Sequence, residues 1–219
     1  MQFDNEKVTC LKRKDNSNKG SIDPDIRNLV DLINSLEDYY TTSSCSGRIV
    51  IIELIEKKKD TKFIFVEHNK AKFNSIKSSL KTMRLNQVDG GGREDGNIES
   101  KEANPKTKNN LWFKQESLIL HVCCRDLKSA EELLSIVRNS GIKRAGIISL
   151  RNRIIIEIIG TEHMETLIAK DGNLLVDDKF LKVLIAEANK KLERNKRNVD
   201  KLYLELKKKF EYPSSGFTT

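Results

Sequence analysis

The chain lacks any apolar run near the roughly 18 residues that a membrane-spanning helix needs, which excludes an integral helical membrane protein. It has four cysteines, Cys10, Cys45, Cys123 and Cys124, with no CxxC pair and no histidine cluster beside them at metal-ligand spacing. No zinc site and no structural metal are therefore expected. At 219 residues the chain can bury a core without disulfide staples. A dinucleotide fingerprint is missing too. The run Gly90-Gly91-Gly92 has neither a hydrophobic strand before it nor an opening helix after it, and those are what aim backbone amides at a phosphate. Residues 1–14 carry charges throughout and lack the continuous apolar stretch of a secretory leader, so a cytoplasmic chain is expected.

Charge is what the chain has in quantity. Lys and Arg total 40 against 32 Asp and Glu, a net charge of +8, which favours a polyanionic partner such as RNA. Solvated charged faces on a lysine-rich chain account for the same surplus.

Along the chain, residues 3–14 read as a short helical or irregular arm, followed by a polar loop at 14–20. Ser21 or Asp23 can cap a helix with Pro24 in its first turn, and Ile26, Leu29, Val30, Ile33 and Leu36 recur at helical steps. Residues 38–45, a Ser46-Gly47 turn and the β-branched segment 48–55 predict a strand hairpin. A third strand follows over 62–68, then a helix around Phe73, Ile76, Leu80 and Met83.

Residues 89–110 are glycine-rich and polar and read as a flexible loop or linker. Beyond it, 112–124 predicts one strand, 129–140 a helix, and 144–150 and 153–159 two more strands. The Ile-rich strand after Arg153 echoes the one after Arg48, which suggests a pseudo-duplication of the halves 21–83 and 111–160. From Leu181, apolar residues at 181, 185, 188, 192, 199, 202 and 206 predict one long basic helix over 179–211, with Asn195 in the missing place. The expected fold class is α+β: two helix-strand-strand halves around a mixed or antiparallel sheet, with a long C-terminal helix and no Rossmann core.

Residues 39–48 hold the densest set of polar side chains. Ser43, Ser44 and Ser46 hydroxyls and the amides of a Ser-Gly turn can hold a carboxylate or phosphate, and Arg48 can fork onto the same oxygens. Tyr39 or Tyr40 can stack on a base. A solvated hairpin explains the same residues.

This segment, Asp38-Tyr39-Tyr40-Thr41-Thr42-Ser43-Ser44-Cys45-Ser46-Gly47-Arg48, closely resembles the signature of the tRNA wybutosine-synthesizing protein 3 family. The polar block from Asp15 to Asp23, the strand Leu118-Ile119-Leu120-His121-Val122 and the pair Ala188-Asn189 also resemble family blocks, so one family domain covers 1–219. The chain departs from the family pattern with Glu67 before His68 and with Ala145 before Gly146, where family members commonly carry serine.

The resemblance implies an S-adenosylmethionine-dependent methyltransferase acting on tRNA-Phe. Its target would be N-4 of the tricyclic wyosine-type guanosine 3′ of the anticodon, in a fold other than the doubly wound one. It places Asp15, Ser17, Asp23, Ser43, Ser44, Ser46 and Arg48 at the cofactor, and Tyr39, Tyr40, Gly146, Thr161 and Asn189 at the substrate. Asp23 has the simpler reading of a helix cap. If a proton leaves the ring nitrogen, His68 or His121 is the acceptor, with His68 preferred because it ends a strand beside a loop and His121 open to a packing role. His163 is read as surface or substrate rim. Cys45 is expected to shape the turn rather than attack. A non-enzymatic RNA-binding module and a paralogue acting on another modified base are the competing readings.

Overall fold

The computed structural model describes residues 2–12, 22–54, 61–83, 85–87 and 110–211. The expected cofactor residues Asp15 and Ser17, and the loop at 89–110 up to residue 109, lie outside them. In chain order the elements are helix α1 (Gln2–Lys12), α2 (Pro24–Ser35), strands β1 (Tyr39–Cys45), β2 (Arg48–Leu54) and β3 (Lys62–Glu67), α3 (Phe73–Thr82), and β4 (Asn86–Gln87). Then come β5 (Asn110–Glu116), β6 (Ile119–Cys124), α4 (Leu127–Asn139), β7 (Arg144–Ser149), β8 (Ile154–Ile159), β9 (Met164–Lys170), β10 (Asn173–Leu174) and α5 (Asp178–Glu211). The α+β class holds, with the long C-terminal helix. No helix among the described residues is long and apolar enough to cross a membrane.

Two compact units form, each drawn from separated stretches of chain. The first comprises residues 1–47, 117–162 and 193–219, and its antiparallel sheet runs β1-β6-β8-β7. Alternation along the strands sends Leu120, Val122, Ile156 and Ile158 to one face, where they are fully buried against Ile26, Leu29 and Ile33 of α2, Leu133 and Val137 of α4, and Val199, Leu202 and Leu206 of α5. Each such side chain contributes about 1.5–3 kcal/mol on burial. A capping box starts α4: the Asp126 carboxylate accepts from the Ser129 backbone N–H at 2.8 Å, and the Ser129 hydroxyl oxygen accepts from the Asp126 N–H at 3.1 Å.

The second unit comprises residues 48–116 and 163–192. Its sheet runs β3-β2-β5-β9-β10-β4, antiparallel except where β10 meets β4. Ile49, Ile51, Leu111, Phe113 and Ile168 pack there against Ile76 and Leu80 of α3 and Leu181, Ile185, Ala188 and Leu192 of α5. The halves 21–83 and 111–160 each contribute strands to both sheets.

Two expectations about strands need correction, and one strand was not expected. The β1–β2 hairpin does not form: β1 pairs with β6 and β2 with β3 and β5, so the chain changes sheets at Ser46-Gly47, where Gly47 takes φ +98°. The single strand over 112–124 is two, broken at Ser117-Leu118, because β5 and β6 also serve different sheets. Residues 164–170, which no strand signal marked, form β9 and pair with β5. The long helix matches its apolar spacing: all seven predicted positions are buried, and Asn195 in the missing place is buried with them.

Candidate active site

In β6 the alternation that buries Leu120, Val122 and Cys124 turns Ile119, His121 and Cys123 to the opposite face, and β8 does the same with Glu157. Register then aligns one row across all four strands of the first unit's sheet: Ser43 lies opposite His121, His121 opposite Glu157, and Glu157 opposite Gly146. His121 Nε2 is 3.0 Å from Glu157 Oε1, and the two side chains keep 26% and 30% of their surface exposed. His121 is thus no packing residue of the core. A register shift between Thr41 and Ser43 marks a bulge, from which Thr42 donates its hydroxyl to the His121 carbonyl at 3.5 Å. A Cβ built on Gly146 meets no atom within 4 Å, so the row ends in open space.

Helix α1 covers the neighbouring row of the same face. Phe3 sits 5.2 Å from the Tyr40 ring, the Tyr40 hydroxyl donates to Glu6 at 3.3 Å, and Arg153 pairs with Glu6 at 2.7 Å. Tyr40 is fully buried and Tyr39 nearly so; Tyr39 donates to the Ser129 carbonyl at 3.0 Å and packs edge-on against Phe210. Neither ring offers a face to a nucleobase, which corrects the stacking role expected of both. Burial raises both phenols well above their ordinary range. Burial also raises the Cys123 thiol and pushes Cys124 up to about 12, so neither is a ready nucleophile.

Asp23 does not cap α2 through its side chain. Its buried carboxylate instead accepts from Ser46, at 3.1 Å from the backbone N–H and 3.2 Å from the hydroxyl, which ties both expected cofactor residues to each other. Ser43 is exposed in the row, whereas Ser44 lies opposite the core residue Leu120. Thr161 is exposed just after β8.

The remaining expected residues belong to the second unit. Arg48 pairs through Nε with Glu116 at 2.5 Å and lays its guanidinium 5.1 Å from the Phe63 ring centre. His68 is half-buried in the bend after β3, and His163 is exposed. Asn189 is engaged at both ends of its amide by Ala71, accepting from the backbone N–H at 2.9 Å and donating to the carbonyl at 3.0 Å. It is a clamp on the loop that follows His68, not a free substrate ligand.

Glu157 is the residue that sequence reasoning missed. Its signal is a lone carboxylate inside the apolar run 154–159, which looked like an echo of Glu53 in β2. In β8 it falls on the face opposite the core residues Ile156 and Ile158, and there it meets an imidazole.

Comparison with known proteins converges on one family. Residues 5–208 match the family described as Methyltransferase TYW3. A protein of Thermococcus sibiricus named tRNA(Phe) 7-((3-amino-3-carboxypropyl)-4-demethylwyosine(37)-N(4))-methyltransferase is 33% identical over 210 residues, covering 94% of this chain and 95% of the relative. The tRNA wybutosine-synthesizing protein 3 homolog of Danio rerio is 30% identical over 205 residues, 91% of this chain and 72% of that protein. Among solved structures, the PH1069 protein of Pyrococcus horikoshii superposes with a TM-score of 0.76 at 29% identity, covering 93% of this chain and 95% of that one. A match that takes in the hydroxyl-rich strand, all three histidines and most of α5 leaves one assignment: the chain belongs to the Methyltransferase TYW3 family.

Proposed function

We propose that the chain transfers a methyl group to N-4 of the tricyclic wyosine-type guanosine 3′ of the anticodon in tRNA(Phe), the reaction for which its Thermococcus sibiricus relative is named. Support comes chiefly from the His121–Glu157 pair, part-exposed on an open sheet face within the family-matched region. Such a transfer needs the acceptor nitrogen aligned with the methyl carbon, water excluded, and an outlet for the ring proton.

Glu157 accepts from His121 Nε2–H, which leaves the Nδ1 lone pair to take the proton from N-4 as the nitrogen–carbon bond forms. His68 is the alternative acceptor, and parallel single variants separate the two. Gly146 leaves room beside the pair for a flat ring, and the exposed hydroxyls of Thr42 and Ser43 suit ribose or carboxylate oxygens. These features fit S-adenosylmethionine, which supplies a methyl carbon on a sulfonium that leaves as a neutral thioether. Thr42 and Ser43 would hold it, with the Asp23–Ser46 bond fixing the end of their strand.

The target base has to leave the anticodon-loop stack, at less cost than extrusion from a duplex. In α5, Arg197, Lys201 and Lys208 are exposed and fall on one helical face, suited to phosphates, so tRNA binding is expected to weaken steeply with salt. A tRNA substrate agrees with the expected cytoplasmic location.

Incubation with methyl-labelled S-adenosylmethionine and tRNA(Phe) lacking this methyl group tests the reading. Label in the tricyclic base is expected. Binding without label would make the chain an RNA-binding module, and label in another nucleoside would make it a paralogue of altered specificity.

A further inference from the structure

The outer face of the second unit's sheet carries an aromatic row that the proposed chemistry does not use. Ile49, Ile51, Leu111, Phe113 and Ile168 point into the core, so Arg48, Val50, Ile52, Trp112, Lys114 and Leu167 alternate to the other side. Register makes the row continuous across β3, β2, β5 and β9: Phe63 lies opposite Ile52, Ile52 opposite Trp112, and Trp112 opposite Leu167. Two contacts place the side chains on this face independently of register. The Arg48 guanidinium carbon is 5.1 Å from the Phe63 ring centre, and Lys114 Nζ is 6.0 Å from that of Trp112. Val50 and Ile52 form a buried floor, while Phe63 and Val66 are each 43% exposed.

We propose that Phe63 and Trp112 form a stacking platform for unpaired bases of the anticodon loop other than the methylated one. This rests on the reading of tRNA as substrate. A part-exposed aromatic row suits ligands that present a π face, and unpaired nucleotides do. Glu116 and Glu165 hold Arg48 and Lys114 at 2.5 and 2.8 Å, so the local charge balances and stacking supplies the contact, while the attraction for a polyanion comes from the chain's net +8. A second protein copy fits the face less well, because these four charged side chains border the row and the centres of protein interfaces are depleted of charge.

Trp112 is the chain's one tryptophan, so its emission reports the platform directly. Titration with an unmodified tRNA(Phe) anticodon stem-loop should quench it saturably, and a fully paired RNA of equal length should quench it far less. Phe63→Leu, which keeps an apolar side chain, should weaken stem-loop binding roughly 5- to 150-fold at unchanged melting temperature, and Phe63→Tyr should restore it. For the Trp112 position, followed by anisotropy of labelled RNA, Trp112→Phe should bind and Trp112→Leu should not.

Unchanged emission while the RNA demonstrably binds would overturn the platform and leave the methyl-transfer reading standing. Absence of methyl transfer to intact tRNA by the wild-type enzyme would sink that reading instead. Emission that changes with protein concentration alone would assign the face to a second copy and overturn the platform as well.

Discussion

Asp23 and Ser46, both buried, are joined twice: one carboxylate oxygen accepts the serine's backbone N–H at 3.1 Å and its hydroxyl at 3.2 Å. The head of α2 is thereby tied to the point where the hydroxyl-rich strand β1 ends. Asp23→Ala leaves a buried N–H and hydroxyl without this acceptor and is expected to cost about 1–3 kcal/mol in urea unfolding. Asp23→Asn keeps an acceptor oxygen and should cost less; equal losses would mean that the charge, not the bond, matters.

Two glycines should respond oppositely to the same change. A Cβ on Gly160 would lie 2.8 Å from Asn195 Oδ1 and 3.2 Å from Ser117 Cβ, so Gly160→Ala is expected to destabilise by about 1–3 kcal/mol. Gly146→Ala meets open space and should leave stability within about 0.5 kcal/mol, while raising KM for tRNA if the base lies beside Glu157. Thermal melts and steady-state kinetics on the pair check both halves.

Thiol labelling of the native protein at mildly alkaline pH should modify Cys10 and Cys45, which are part-exposed, well before Cys123 and Cys124, which are buried and whose thiols are raised by burial. Peptide mapping reads the order. Cys45→Ala should retain measurable turnover, since methyl transfer to nitrogen needs no covalent enzyme intermediate. Complete loss of turnover in a folded Cys45→Ala enzyme would overturn that reading.

The α4 capping box should be visible in pH dependence. The Ser129 backbone N–H holds the Asp126 carboxyl below its ordinary range, so its stabilisation is present above the unfolded-state value of about 3.9 and is lost as pH falls through the lower folded value. Asp126→Asn caps without titrating there. The melting-temperature gap between wild type and this variant should therefore narrow when the buffer is taken from pH 7 toward strong acid, and a constant gap would contradict the assignment.

Local pattern made most elements legible. The spacing of Leu181, Ile185, Ala188, Leu192, Val199, Leu202 and Leu206 marked α5 almost to its ends, because one face of a long helix is set by neighbours three and four residues apart. Strand partners were not legible in the same way. The Ser46-Gly47 turn has hairpin composition, yet β1 finds its partner in β6, some eighty residues on, and sequence carries no local sign of such pairing. The same blindness hid the site. Ser43, His121 and Gly146 were each singled out, but their alignment depends on register across four strands, and Glu157 emerges only once that register brings it to His121. Tyr39 and Tyr40 misled in the other direction: beside so many hydroxyls they looked exposed, whereas long-range packing by Phe210 and Phe3 buries them.

Whether His121 takes the proton is decided by turnover of His121→Ala on tRNA(Phe) lacking the N-4 methyl group, measured beside His68→Ala and Glu157→Gln with the dissociation constant for tRNA. For His121→Ala a kcat loss of about 10²- to 10⁴-fold is expected with tRNA affinity unchanged, with a smaller loss for Glu157→Gln and the smallest for His68→Ala. Wild-type turnover by a folded His121→Ala enzyme would contradict that role.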